Sequence, residues 1–174
     1  VLLSFTLLMF LAIIFMNPIP KTGVINPKAE YIVTVSWADN NPDDIDTYVQ
    51  NPTGGLVWFR NKESEFVHLD RDDRGLLNDT IMVNDKEIQN PLNQEVVTLR
   101  AVVPGEYIVN IHYYATKTNQ PIDVNVKVEK VNPQLEVIYY GTINLEKKGV
   151  EKTATRFNIT QDGIVNVTGN LFKK

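Results

Sequence analysis

Ile122, Val124, Val126 and Val128 alternate without a break with Asp123, Asn125, Lys127 and Glu129. A period of two belongs to a β-strand that buries one face and wets the other. Similar runs recur down the chain, and strands are predicted over 30–37, 45–50, 55–60, 65–69, 80–84, 95–103, 106–115, 121–130, 134–145, 151–159 and 163–168. Turn residues separate them at Pro52–Gly55, Pro104-Gly105, Lys148-Gly149 and Asp162-Gly163, where glycine and proline supply the backbone angles that strands cannot adopt. Past the first sixteen residues no window carries a helical stripe of ten residues or more. Many short strands with such turns specify an all-β fold, here an antiparallel β-sandwich. Its domain is expected over residues 29–130. Residues 131–174 either complete it or form a small β extension beyond Asn132-Pro133.

The N-terminal stretch VLLSFTLLMFLAIIFM holds no charge, and its polar members are Ser4 and Thr6. As a helix it covers ~24 Å, a little short of the ~30 Å hydrocarbon core of a bilayer. A signal peptide would want a basic leading region and a small-x-small cleavage site, and neither is present. A buried core helix is the other alternative. The reading adopted is one transmembrane helix over residues 1–17, with Leu2, Leu3, Phe5, Leu7, Leu8, Phe10, Leu11, Ile13, Ile14 and Phe15 facing lipid or partner helices. With no ionisable residue in it, this helix carries no proton or ion. Residues 18–28 follow as a proline-rich tether. Lys21 and Lys28 behind the anchor mildly favour a cytoplasmic domain on charge alone.

All seventeen basic and twenty-one acidic residues fall beyond the anchor, for a net charge of −4. No basic patch stands out, which argues against nucleic acid. The absence of cysteine removes disulfides, thiolate chemistry and cysteine-based metal sites. Two histidines, His68 and His112, are too few for a histidine-rich zinc centre.

Acidic residues concentrate in two places, around Asp39–Asp46 and around Asp70–Asp73, with Asp79 further on. Calcium takes six to eight oxygen ligands, and two loops converging at one end of a sandwich can supply them. The candidate ligands are Asp39, Asn41, Asp44, Asp46, Asp70 and Asp72. The spacing is not that of an EF-hand. The competing reading is structural: short Asp and Asn side chains closing their own turns, with Arg71 and Arg74 diluting the negative field. No cofactor other than calcium is implied. Catalysis has little support, since a glycosidase needs two carboxyls tuned apart across a cleft and no nucleophile elbow surrounds any of the serines.

Adjacent aromatics at Trp58-Phe59, Tyr113-Tyr114 and Tyr139-Tyr140 put one ring on each sheet face. Trp58, Tyr113 and Tyr139 are the candidate interface residues, because Trp and Tyr are enriched where proteins meet.

The stretch 37–114 resembles a bacterial envelope β-sandwich family, often associated with von Willebrand A domains. The resemblance rests on Trp37, Asp39, Asp44, Asp46 and Val49, then Pro52 and Gly54, then Leu69, Asp70, Asp72 and Gly75, and finally Pro104, Gly105, Tyr107 and Val109. It implies a noncatalytic accessory domain in the periplasm or outside the cell, which outweighs the charge count. The expectation is a single-pass membrane protein whose sandwich serves as an accessory or structural subunit, with integral membrane subunits and the lipid bilayer as partners. A calcium-dependent or carbohydrate-binding surface module is the alternative.

Overall fold

The computed structural model describes Met9, residues 29–75 and residues 80–168. The expected anchor (apart from Met9), the tether, Asp79 and the last six residues lie outside the described residues. No helix among the described residues is long and apolar enough to cross a membrane.

Thirteen antiparallel strands run through the described chain, beginning with β1 (Tyr31–Trp37), β2 (Asp44–Gln50), β3 (Leu56–Val57), β4 (Glu63–Ser64) and β5 (Val67–Arg71). Next come β6 (Thr80–Val83), β7 (Lys86–Gln89), β8 (Asn93–Leu99) and β9 (Gly105–Ala115). The series closes with β10 (Ile122–Lys130), β11 (Glu136–Leu145), β12 (Glu151–Ile159) and β13 (Val165–Val167). One sheet has the order β11-β10-β1-β8-β5-β4, the other β13-β12-β9-β2-β3, and β6-β7 is a separate hairpin. The strands after residue 131 are shared out between both large sheets, β11 in the first and β12 and β13 in the second.

Alternation decides which side chains enter the core. In β1, Tyr31, Val33, Val35 and Trp37 point inward and the residues between them are half-exposed. Val33 lies between Val97 of β8 and Val128 of β10. Opposite this layer, Ile45, Val49, Val109, Ile111 and Phe157 of the second sheet are fully buried. Each such aliphatic side chain contributes ~1.5–3 kcal/mol by leaving water. Tyr107 and Phe157, paired across β9 and β12, stack with centroids 5.0 Å apart, and Tyr31 of the first sheet packs on Phe157 at 6.3 Å.

The Pro-Gly-x-Tyr pattern at the start of β9 has a mechanical explanation. Gly105 adopts φ +132°, and a Cβ there would come within 2.5 Å of the Pro52 side chain. Two residues on, the buried Tyr107 hydroxyl donates to the Val103 carbonyl at 2.7 Å, a tyrosine corner of the kind that pins crossovers in β-sandwiches.

One position breaks the pattern. Glu95 of β8 stands opposite Val35 on the core-facing side, where Val97 and Leu99 continue the buried row. It is 1% exposed.

Candidate functional site: a buried carboxylate cluster beneath an aromatic surface

The acidic stretch after Trp37 divides into a structural part and an unsatisfied part. Asp43 is the structural part. Its carboxylate accepts from the Tyr113 hydroxyl at 2.5 Å, the Thr116 hydroxyl at 3.0 Å, the Lys117 N–H at 2.6 Å, the Thr118 N–H at 3.0 Å and the Thr118 hydroxyl. Burial by itself would raise the Asp43 pKa, but this many donors, led by Thr118 and Tyr113, lower it to about 2. Neighbouring side chains close turns: Asn41 Oδ1 accepts the Asp43 N–H at 2.8 Å and Asp73 Oδ1 the Gly75 N–H at 3.1 Å. Asp73 also takes the Gln94 N–H and the Arg71 guanidinium.

The second acidic segment is brought onto the first by close backbone approach. Gly75 adopts φ +66°, and a Cβ on it would meet the Pro42 carbonyl oxygen at 2.6 Å. Asn93, buried at the start of β8, donates to the carbonyls of Ala38 at 2.5 Å and Asn41 at 3.0 Å and holds the 38–43 loop in place.

Convergence creates the cluster. β2 pairs with β9 along its length but meets β3 only at Val49 and Gln50, which leaves the Thr47 N–H without a strand partner. Glu95 reaches over from the first sheet, and its Oε2 accepts that N–H at 2.6 Å. Asp46, Asp72 and Glu95 thereby each offer a carboxylate oxygen within 4.8 Å of the others. Asp46 is 3% exposed and the Asp72 side chain 6%. Glu95 Oε1, Asp46 Oδ2 and the neighbouring Asp44 Oδ1 are buried and accept no hydrogen bond. Among the described residues, Lys62 Nζ at 2.8 Å and an Arg74 nitrogen at 3.9 Å bear on Asp72 Oδ2.

Three carboxylates in so little water are costly unless neutralised. Burial, then the charge of Asp44, then that of Asp72 push Asp46 up to about 7, with Arg74 opposing. Burial followed by the charge of Asp72 raises Asp44 to about 6. Glu95 is raised well above the usual carboxylate range, chiefly by burial. Such a cluster is held together at neutral pH by captured protons or by a bound cation.

Above the cluster, the outer face of the second sheet carries aromatic rings. Tyr48 and Trp58 stack with centroids 5.6 Å apart, Trp58 meets Phe59 edge-on at 4.8 Å, and Phe59 meets Tyr114 at 5.1 Å. His112 lies edge-on to Tyr48 and Tyr114, with its Nδ1 3.9 Å from Asp46 Oδ2. The Arg60 guanidinium sits over Trp58 and Phe59 at 5.7 and 5.2 Å.

Comparison with protein-family models, with characterised proteins and with solved structures finds no match to this chain.

Of the residues that the sequence nominated as ligands, Asp46 and Asp72 meet in the cluster and Asp44 adjoins it. Asp70 instead takes the Thr98 hydroxyl at 2.6 Å and Arg100 at 2.8 Å. Asn41 is committed to its turn, and Asp39 is an exposed loop residue. Glu95 was not nominated. Its signal is a carboxylate at a core position of a strand, and it becomes readable only once Val97 and Leu99 fix which face is inside.

The interface expectation needs correcting at Tyr113. That ring is fully buried, because it shares the inward face of β9 with Tyr107, Val109 and Ile111 and its hydroxyl is satisfied by Asp43. Tyr114, 40% exposed, is the outward member of the pair. Tyr139 is half-buried against the core, and Tyr140 faces solvent at 64% exposure. Trp58 is half-buried within the aromatic surface.

Proposed function

We propose that this chain is a noncatalytic accessory or structural subunit of a multisubunit membrane complex. Its apolar N-terminal segment anchors it in the cytoplasmic membrane, and its β-sandwich stands outside that membrane. The observation that carries the reading is the outer aromatic surface of Tyr48, Trp58, Phe59 and Tyr114 with Arg60 over it. Aromatic rings with arginine are the composition of protein interface centres, and a protein partner gains most by covering them. Among the described residues, a hollow of about 410 Å³ beside Trp37 and Asn93 is lined by one ionisable residue, Asp39.

Extraction of the full chain from its native membrane in the presence of EDTA tests the proposal. Stoichiometric membrane partners are expected with the wild type, and their loss with Trp58→Ala combined with Tyr114→Ala. Purification of the chain alone from that membrane overturns it.

One observation favours a second reading, a carbohydrate-binding surface module. The stacked Tyr48 and Trp58 rings, with Arg60 beside them, offer the apolar face and the hydrogen-bond donor that a sugar ring requires. Saturable glycan binding lost on Trp58→Ala, with no co-purifying protein, selects this reading.

A further inference from the structure

We propose that Asp46, Asp72 and Glu95 form a binding site for one hard divalent cation, of which calcium fits best. The inference is independent of the partner that the aromatic surface takes.

Several features converge on it. The three carboxylate oxygens lie within 4.8 Å of one another although Asp46 and Glu95 come from strands of different sheets and Asp72 from the segment after β5. Calcium–oxygen distances of ~2.3–2.6 Å put ligands on opposite sides of the ion ~4.6–5.2 Å apart, so one ion can touch all three. The donors are all oxygens, the ligand type that hard cations select. An acidic cluster alone would mean little, but here the polar atoms are stranded as well. Glu95 is 1% exposed and Asp46 3%, and each keeps an oxygen that no hydrogen bond reaches. Buried polar atoms almost always find a partner, so two orphans in one cluster point to a ligand.

Proteins usually relieve such a position by replacing the acid or by supplying basic side chains. Lys62 and Arg74 both attend the same oxygen of Asp72. Among the described residues no lysine or arginine forms an ion pair with Asp46 or Glu95, and His112 stays 3.9 Å from Asp46. A cation placed among the three oxygens neutralises both acids. It also ties β2 of one sheet to β8 and the segment after β5 of the other. Asp44, whose buried Oδ1 is likewise unpartnered, adds to the negative field around the ion.

The full chain, stripped with EDTA and then titrated with calcium chloride, provides the test by thermal melting. At calcium about a hundredfold above Kd the midpoint should rise by about 5–10 °C, and magnesium at the same concentration should give a smaller rise. Terbium should bind in calcium's place and emit on aromatic excitation, because Tyr48 lies two residues from Asp46 on the same strand face. Glu95→Gln and Asp46→Asn should each abolish the calcium shift and the terbium emission. Both substitutions remove a buried charge while keeping side-chain shape, so in EDTA they should melt no lower than the wild type, which separates lost binding from misfolding. Asp85→Asn, on the exposed β6–β7 turn, should leave the calcium shift intact. The proposal is overturned if calcium up to about 10 mM, well above the weakest extracellular sites, leaves the wild-type midpoint unmoved. It is equally overturned if Glu95→Gln keeps the full response, or if magnesium matches calcium.

Discussion

Glu95 crosses from one sheet to the other to accept the N–H of Thr47 at 2.6 Å. In doing so it replaces the hydrogen bond that a neighbouring strand would otherwise supply, because β3 pairs with β2 only at its end. A carboxyl in this position satisfies one backbone group and leaves its other oxygen, Oε1, buried without a hydrogen-bond partner.

The two roles of Glu95 separate by substitution. In EDTA, Glu95→Gln keeps an acceptor for Thr47 and removes the charge, whereas Glu95→Ala leaves the N–H stranded. Urea unfolding should find the Gln variant more stable than the Ala variant by about 1–3 kcal/mol. Equal stabilities would mean that water takes over the Thr47 N–H and that the bond matters little.

Asp43 should govern part of the acid sensitivity. Its pKa in the fold, about 2, lies below the ~3.9 of an unfolded aspartate. A lowered value contributes stability that is complete above the unfolded pKa and is lost as pH falls from ~4 toward 2. Urea midpoints measured between about pH 5 and pH 2 should fall less steeply in Asp43→Asn than in the wild type. At neutral pH, Asp43→Ala should cost about 3 kcal/mol or more, since several donors lose their acceptor together.

Tyr113 and Tyr114 are neighbours with opposite expected behaviour. Tyr113→Ala empties a fully buried site and should destabilise by about 3–5 kcal/mol. Tyr114→Ala, on the outer face, should cost about 1 kcal/mol or less. Chemical denaturation of the two variants side by side checks the assignment, and similar losses would refute the orientation of β9.

Gly105→Ala should destabilise by about 2 kcal/mol or more, because its positive φ resists a side chain and the added methyl would press on Pro52. Pro52→Ala in the same background should recover part of the loss by making room. No recovery would assign the whole effect to backbone strain.

The β character of the chain was legible from residues such as Ile122–Glu129, whose alternation matches β10 almost to the residue. It was equally legible in β1 and β12. The second strand of the small hairpin, Lys86–Gln89, was harder to read, since Lys86-Glu87-Ile88-Gln89 buries nothing and shows no apolar face. Its turn residues Asn84 and Asp85 both take positive φ, a hairpin signal that was available in the sequence. The sequence placed two acidic segments where loops of a sandwich can meet, beside the reading that they only close their own turns, but which residues meet depended on tertiary register. Glu95 sits in Glu-Val-Val-Thr-Leu, where adjacent valines hide the period and nothing local says which of them faces the core. Asp70 and Asp72 are two residues apart, a spacing that puts both on one face of an unbroken strand, yet they go to different partners, because β5 shifts register against β8 between Leu69 and Arg71 and ends there.

β1 is the first strand of the sandwich and also an interior one, bonded to β10 on one side and β8 on the other. Glu30 extends both contacts, donating to Leu99 and accepting from Val131. Tension applied to the chain ahead of residue 29 would therefore load two hydrogen-bonded ladders together, where an edge strand would peel away bond by bond. A domain suspended by that end is hung from the middle of its own sheet.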